Sequence, residues 1–434
     1  MKANRIIKNV NDIKQLNATA FAEKNGNVFT DMGDYLIWLD DIKSVDFQAA
    51  VSYSQVFSDT VEGGLCTACV KKNSAGEVLI GRNNDMDISQ CPAYISTTSC
   101  GKYKTLSLRY VAPDLYTYEQ FVAEGYKNKE FINLIGFAVS DSINEEGLYV
   151  EANARERNDT FYNTGTNPGK TRVRIDMLVN LITQNCATVK EAVKYVKNEL
   201  DVYSTPKKNE EGFTEFAYLM GDATGEYGLL EIAGNKVYYL PYQNGQANYY
   251  LNPFCNAIEI KGDGYGRLAQ VLEGLEDIET HDEMFCHMKK AMWRDSVLYA
   301  DCTYIDENGE IHFVNNQGEP IEDWRSDVYP SQVEGIWGKE AAPLLKLTTR
   351  ERMFPENSEL ILKYCKDLYV KNGFKEKLLQ YYQGNETPLR DCGDIMTTGL
   401  RISVNCRKKK MIVQFFEKED LTFEFDCGEI LASI

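Results

Sequence analysis

A short polar turn between two strand-like runs is the feature that most constrains how this chain folds. Residues 73–76 read Asn-Ser-Ala-Gly, and they separate residues 66–71 from residues 77–81. Asparagine and glycine favour tight turns between antiparallel strands, so the segment predicts a β-hairpin. A hairpin folds back on itself. It therefore brings Arg82 and Asp85, which end the return strand, close to Cys66, which starts the first strand.

The three side chains gathered by this hairpin suggest nucleophilic catalysis. A guanidinium near a thiol favours the thiolate and lowers the thiol pKa from about 8.5. If the chain is cut before Cys66, the new α-amine, with an ordinary pKa of about 7.7–8.0, can act as a base. Asp85 can then hold the ammonium form of that amine. The residues alone leave a plainer alternative open, in which Arg82 and Asp85 form a surface ion pair beside a buried strand cysteine.

The scarcity of histidine fits a base of this kind. Only His281, His287 and His312 occur among the 434 residues. A Ser-His-Asp or Cys-His site would need one of these three, and a multi-histidine metal site would need them all. Cys66 and Cys69 form a C-x-x-C pair, which leaves a metal or redox site as an alternative, although one such pair alone is a poor zinc site.

Charge and hydropathy exclude several classes of partner. The formal net charge is −18, which opposes binding to nucleic-acid phosphates and attraction to anionic membranes. The N-terminus lacks the apolar stretch of a secretory signal, and no run approaches the about 18 apolar residues of a membrane span. These features predict a cytoplasmic protein whose 12 cysteines are mostly reduced. They predict no nucleic-acid partner and no membrane span.

Strand patterns and helical patterns alternate along the rest of the chain. Residues 172–183 carry apolar side chains at near-helical spacing, and capping boxes at 188–191 and 280–283 predict two further helix starts. Strands are predicted before, between and after these helices, up to residue 425. This order predicts an α+β fold in which helices cover antiparallel sheets.

The hairpin sequence resembles the signature of an enzyme family. Residues 66–67 read Cys-Thr and residues 81–85 read Gly-Arg-Asn-Asn-Asp. Choloylglycine hydrolases, or linear amide C–N hydrolases, begin their mature chains with Cys-Thr and end the following hairpin with Gly-Arg-Asn-x-Asp. They are N-terminal nucleophile (Ntn) hydrolases related to penicillin V acylase, acid ceramidase and the isopenicillin N acyltransferases. Weaker matches follow in the family's order: Asn-Glu-Glu-Gly-Leu at 144–148, Asn153, Asp-Ala-Thr-Gly at 222–225 with Glu231, Asn252-Pro253, Gly266-Arg267 and residues 401–404.

The resemblance implies a fold and a role for each matching residue. The implied fold is a four-layer αββα sandwich of two antiparallel sheets with outer helices. The implied site works without a cofactor and without a metal. By the resemblance, Cys66 is the nucleophile and its α-amine is the base. Arg82 polarises the thiolate, Asp85 orients the amine, and Arg267 helps to organise the site. The Asn252 side chain and the Asn153 backbone N–H form the oxyanion hole.

The resemblance also divides the chain and suggests an activity. Residues 1–65 are predicted to be a propeptide, which is removed when the Cys66 thiol attacks the preceding carbonyl. Residues 66–434 then form the catalytic domain, with an insertion at about 293–396. The predicted activity is hydrolysis of a small N-acyl amide through an acyl-thioester. An acyltransferase of the isopenicillin N type is the main alternative, and an unprocessed binding protein is another. The acyl group and the amine stay open, and a homo-oligomer is compatible with the sequence.

Overall fold

The computed structural model describes most of the predicted catalytic domain and parts of the segments around it. The described residues are 5–9, 12, 36–42, 66–87, 93–99, 101–110, 139–155, 162–206, 213–256, 265–291, 303–305, 311–314, 320–321, 396–415 and 422–434. Their strands are β1 (Arg5–Ile7), β2 (Leu36–Ile42), β3 (Cys66–Lys72), β4 (Val78–Asp87), β5 (Ala93–Thr98), β6 (Thr105–Tyr110), β7 (Asp141–Asn144), β8 (Tyr149–Arg155), β9 (Thr171–Arg174), β10 (Leu200–Tyr203), β11 (Thr205–Pro206), β12 (Phe213–Gly221), β13 (Tyr227–Ala233), β14 (Lys236–Pro241), β15 (Gly245–Gln246), β16 (Thr303–Ile305), β17 (Ile311–Val314), β18 (Pro320–Ile321), β19 (Met396–Asn405), β20 (Lys410–Phe415) and β21 (Thr422–Asp426).

Fewer of the described residues are helical, and the helices named here are those of the described part of the chain. The α-helices are α1 (Leu178–Asn185), α2 (Val189–Glu199), α3 (Pro253–Asn256), α4 (Tyr265–Leu272), α5 (His281–His287) and α6 (Cys427–Ala432). Short 3-10 turns lie at Ile175–Met177, Leu275–Asp277 and Met288–Ala291. Within the described residues, no helix is long and apolar enough to cross a membrane.

Two large sheets contain most of the strands. The first sheet has the order β1-β21-β20-β19-β4-β3-β15, and the second has the order β14-β13-β12-β8-β7-β6-β5-β2, with β11 beside β12. Neighbouring strands are antiparallel except at one edge of each sheet, where β1 lies parallel to β21 and β2 lies parallel to β5. The predicted α+β fold with mainly antiparallel sheets is confirmed.

Alternating burial arranges the sheets and helices in four layers. Side chains in a strand point alternately to its two faces. On β8, Val150, Ala152 and Ala154 pack with apolar side chains of α1 and α2. On β3, Cys69 packs with side chains of α4 and α5. The opposite faces of the two sheets meet, because Arg82 on β4 reaches the Ala152 carbonyl on β8. The order of layers is thus helix, sheet, sheet, helix.

The hairpin forms as predicted, but its return strand is longer. Gly76 closes the turn with φ +74°, a left-handed conformation that glycine adopts easily, and its N–H donates to the Asn73 carbonyl at 2.9 Å. Strand β4 continues to Asp87 because β19 pairs along its other edge. The return strand was predicted to cover residues 77–81, with Arg82 and Asp85 at its end. Both residues instead lie inside β4, so the predicted end of this strand is wrong.

The segment predicted to be a propeptide contributes an edge strand to each sheet. Strand β1 pairs with β21 of the first sheet, and β2 pairs with β5 of the second. The residues on the N-terminal side of the predicted cut, 43–65, lie outside the described residues. Within the predicted insertion, β16, β17 and β18 form a separate antiparallel sheet, and most other residues there lie outside the described part. Both domain assignments stay predictions.

Local helix signals are partly confirmed. Thr280 accepts a hydrogen bond from the Glu283 N–H in a complete capping box, and Thr188 likewise accepts from Glu191. The helix predicted over residues 172–183 begins only at Leu178. Residues 171–174 instead form β9, which pairs in parallel with β10. A distant pairing partner thus overrides the helical spacing there.

Candidate active site

Cys66 lies at the start of β3, between the two sheets, and is only 1% exposed. The register of the hairpin sets it opposite Asn84 and sets Ala68 opposite Arg82. The Cys66 thiol donates to Asn84 Oδ1 at 3.1 Å, and Arg82 Nη2 lies 3.6 Å from Cys66 Sγ. The structure thus brings the predicted nucleophile and the predicted arginine together, as the hairpin requires.

Burial controls the acidity of this thiol. It raises the pKa of the Cys66 thiol to about 11, and the guanidinium of Arg82 opposes the rise without cancelling it. The carboxylates of Asp85 and Glu151 raise the thiol pKa further. Arg82 thus lowers the thiol pKa as predicted, but desolvation of the buried thiol outweighs this effect. The thiol keeps its proton near neutral pH and needs a base to remove it.

Arg82 divides its charge among several acceptors. Its Nη1 donates to the carboxylate of Asp141 and, at 3.0 Å, to the Ser140 carbonyl. Its Nη2 donates to the Ala152 carbonyl at 2.6 Å, and its Nε lies 3.2 Å from Glu151 Oε2. All of these partners belong to the second sheet or to the residue before it. Arg82 thus joins the two sheets behind Cys66, and much of its positive charge is balanced there.

Glu151 connects Arg82 to the strand on the other side of Cys66. Its Oε1 accepts a hydrogen bond from Gln246 Nε2, and Gln246 Oε1 accepts from Arg155 at 3.0 Å. Burial raises the pKa of Glu151 to about 7, although Arg82 opposes the rise. The space between the sheets is therefore filled by a chain of charged and amide groups.

Asp85 and Arg267, both predicted site residues, meet in a buried ion pair. Arg267 Nη1 donates to Asp85 Oδ2 at 3.1 Å, and Thr398 donates to Asp85 Oδ1 at 2.5 Å. Arg267 Nη2 donates to Asn248 Oδ1 at 2.9 Å. The same Oδ1 accepts the N–H of Cys66 at 3.1 Å. Asp85 is thus connected to the nitrogen of Cys66 through Arg267 and Asn248, and its direct contact with an α-amine stays a prediction.

Asn248 is a site residue that the sequence did not single out. Its Nδ2 donates to the Ala154 carbonyl at 2.8 Å, so its amide is fixed in one orientation by donors and acceptors on both sides. The antiparallel pairing of β15 with β3 sets Gln246 opposite Ala68, and continuing that register leads Asn248 to Cys66. Asn248 lies four positions before Asn252. The sequence offered no signal to choose between them.

Asn252 has other partners. Its Nδ2 and its backbone N–H both donate to Glu231 Oε2, at 2.9 and 2.8 Å. Its Oδ1 accepts the N–H of Cys255 at 2.9 Å, at the start of α3. Glu231 also pairs with Arg155 at 3.2 Å. These contacts explain Asn252 as a support for the loop that carries Asn248, and its role as an oxyanion donor stays a prediction.

Asn153 lies on β8 between the two carbonyls that hold the site. The Ala152 carbonyl binds Arg82, and the Ala154 carbonyl binds Asn248. The Asn153 side chain is fully buried, and neither its Oδ1 nor its Nδ2 has a hydrogen-bond partner among the described residues. Alternation along β8 directs it to the same face as Glu151, towards the first sheet. It is therefore a polar group available near Cys66.

The alternative sites suggested by the cysteines are not supported. Cys66 and Cys69 lie three positions apart on β3, so they point to opposite faces of the strand. The Cys69 thiol contacts the sulfur atoms of Met284 and Met288, at 3.6 and 3.5 Å. Within the described part of the chain, no group of three or more His, Cys, Asp or Glu side chains could hold a metal ion.

A family model matches one segment of the chain, and this segment contains the hairpin of Cys66. Residues 66–239 match the family model described as linear amide C–N hydrolases, choloylglycine hydrolase family. This segment is 174 of the 434 residues, and over it the chain is similar to the choloylglycine hydrolase family. The match supports hydrolysis of carbon–nitrogen bonds other than peptide bonds in linear amides. The match begins at Cys66, the first residue of β3.

Solved structures and curated proteins give a more distant comparison. Two variants of the conjugated bile acid hydrolase from Clostridium perfringens are each 13% identical in sequence to this chain, with TM-scores of 0.40 and 0.39. Each match covers 83% of this chain, and the two matches cover 91% and 92% of the hydrolase chains. Penicillin V acylase from Agrobacterium tumefaciens is 12% identical, with a TM-score of 0.35, and the match covers 81% of this chain and 83% of that chain. No curated protein sequence matches the chain.

Proposed function

We propose that this protein is a member of the choloylglycine hydrolase family and uses Cys66 as an N-terminal nucleophile to hydrolyse a small N-acyl amide. The observation that carries the proposal is the position of Cys66. Its thiol lies beside Arg82 and Asn84, and its own nitrogen is held by Asn248 within the same buried site. The family match supports the reaction class and leaves the nucleophile to be tested.

The proposed reaction needs the bond between Leu65 and Cys66 to be cut first. The Cys66 thiol adds to the Leu65 carbonyl, the carbon–nitrogen bond breaks, and the nitrogen of Cys66 leaves with a proton as an amine. Water then hydrolyses the thioester, which frees the thiol. Residues 1–65 thereby act as the propeptide of a zymogen, and the hydrogen bond from Cys66 N to Asn248 orients the group that leaves.

The mature site then repeats this chemistry on a substrate. The α-amine takes the proton of the Cys66 thiol, which a buried thiol does not lose without a base. The sulfur attacks the amide carbonyl and forms an acyl-thioester, the amine product leaves with the proton, and water completes the hydrolysis. In this scheme Asn248 and the Asp85–Arg267 pair hold the α-amine in place. Arg82 stabilises the negative sulfur.

The negative oxygen of the tetrahedral intermediate needs hydrogen-bond donors. The resemblance assigns the backbone N–H of Asn153 and the side chain of Asn252 to this role. The Nδ2 of Asn153, which has no hydrogen-bond partner among the described residues, supports a role for its side chain, whereas the Nδ2 of Asn252 donates to Glu231. One such donor contributes about 2.7–4 kcal/mol to the transition state. Substitution of Asn153 therefore tests whether its side chain adds a donor to the oxyanion hole, because its backbone N–H is kept in the variant.

Cys66→Ala is the decisive test, and Cys69→Ala is its matched control on the same strand. Both variants and the wild type are examined by intact mass, N-terminal sequencing and turnover of bile-salt, phenoxyacetyl, fatty-acyl and N-acyl amino acid amides. We expect Cys66→Ala to remain uncut and inactive, and Cys69→Ala to be cut and active. An uncut wild type with full amidase activity would refute the processing step, and an active Cys66→Ala would refute the nucleophile. Acyl transfer to an added amine would reassign the enzyme as an acyltransferase.

A further inference from the structure

A second amide group contacts the nucleophile from the neighbouring strand. Asn84 is fully buried, stands opposite Cys66 in the hairpin register, and accepts the thiol proton at Oδ1 over 3.1 Å. Its Nδ2 has no hydrogen-bond partner within the part of the chain that the structure describes. A buried NH₂ group without a partner is uncommon in native proteins and calls for an explanation. Asn84 also occupies the variable position of the Gly-Arg-Asn-x-Asp motif, to which the resemblance gives no role.

The state of the thiol explains why a further donor is useful. Burial disfavours the thiolate of Cys66, and the carboxylates of Asp85 and Glu151 disfavour it further. Arg82 Nη2 lies 3.6 Å from the sulfur, but its guanidinium also serves Asp141 and the Ala152 carbonyl. In its observed orientation, Asn84 directs an oxygen towards the sulfur. This suits a protonated thiol and would repel a thiolate.

We propose that Asn84 is a catalytic residue whose amide holds the Cys66 thiol through Oδ1 and then, after rotation, stabilises the thiolate through Nδ2. The proposal rests on Cys66 being the nucleophile. The outer torsion of asparagine is soft and roughly two-fold, so rotation by about 180° exchanges acceptor and donor within the same space. When the S–H bond breaks, the proton moves to the α-amine, the electron pair stays on sulfur, and Nδ2 donates to it.

The alkylation of Cys66 by iodoacetamide measures this role directly. Its rate as a function of pH reports the thiolate fraction, and peptide mass spectrometry assigns the label to Cys66 in the mature protein. Two variants separate the functions of the amide. Asn84→Leu removes both donor and acceptor, whereas the isosteric Asn84→Asp keeps an acceptor and removes the donor.

Asn83→Leu is the matched control. Asn83 is the next residue on β4 and is equally buried, but it faces the helices, where its Nδ2 donates to the Met288 carbonyl at 2.9 Å. Labelling of Cys69 in the same samples reports any general loosening of the fold, because Cys69 is buried against α5.

We expect Asn84→Leu to alkylate Cys66 about tenfold more slowly at a fixed pH below the thiol pKa, which corresponds to one hydrogen bond lost from the thiolate. Asn84→Asp should be slower still, since a carboxylate repels the thiolate. Asn83→Leu should match the wild type. A pH profile unchanged in both Asn84 variants, with Cys66 still required for cleavage and turnover, would overturn the role of Asn84 alone. If Cys66 is not required in the wild type, both proposals fail.

Discussion

Replacing Asn248 by alanine tests the part of the site that only the structure identified. Three side-chain hydrogen bonds of Asn248 carry the argument: it accepts from Cys66 N at 3.1 Å and from Arg267 at 2.9 Å, and it donates to the Ala154 carbonyl at 2.8 Å. A neutral hydrogen bond contributes about 1 kcal/mol net, and one to a charged group about 2 kcal/mol. We therefore expect Asn248→Ala to lower the free energy of unfolding by about 4 kcal/mol.

Only one of these bonds bears on the cleavage step. The bond to Cys66 N orients the group that leaves when the chain is cut, and about 1 kcal/mol corresponds to a rate change of about fivefold. Cleavage is followed by intact mass after a pulse of cell-free synthesis, which needs no knowledge of the substrate. Denaturant unfolding of the uncut chain, in the Cys66→Ala background, measures stability separately.

Asn73→Ala is the matched control for Asn248→Ala. Asn73 is also a buried asparagine with three side-chain hydrogen bonds, which join it to Glu77 and to the Glu279 carbonyl at 2.8–3.3 Å. It lies at the turn of the same hairpin, at the far end from Cys66. We expect it to lose comparable stability and to be cut at the wild-type rate. Equal cleavage rates in the two variants would refute the assignment of Asn248 to the site.

Two further predictions concern stability and the fate of the propeptide. Burial raises the pKa of Glu215 to about 8. Between the ordinary glutamate pKa and about pH 8, the folded chain therefore keeps a proton that the unfolded chain releases. In this range the free energy of unfolding falls by about 1.4 kcal/mol for each pH unit. Urea unfolding at about pH 5 and about pH 8 should show a larger loss for wild type than for Glu215→Gln, and parallel losses would contradict this. Strand β1 pairs with the first sheet and β2 with the second, so the cut segment should co-elute with the catalytic domain. Ile7 is buried and Ile6 is 49% exposed. Ile7→Asp should therefore release the segment more than Ile6→Asp. Equal retention in these two variants would count against anchoring through β1.

The sequence by itself determined the hairpin and the residues that it gathers. Cys66 lies 16 and 18 positions from Arg82 and Asn84, the partners of its sulfur, and a turn with a fixed register brings such near neighbours together. The family motif at residues 66 and 81–85 follows the same local geometry. Helix starts at Thr188 and Thr280 were predictable for the same reason, since each cap involves a partner three residues away.

The tertiary structure decided which asparagine reaches the nitrogen of Cys66 and how acidic its thiol is. Asn248 lies 182 positions from Cys66, and it is brought there by the pairing of β15 with β3. The pKa of the thiol depends on burial between two sheets and on carboxylates from β4 and β8, which together outweigh the predicted effect of Arg82. Local spacing determines which groups meet across a turn. Desolvation and distant strand pairing depend on the whole packed interior, which no short segment of the sequence encodes.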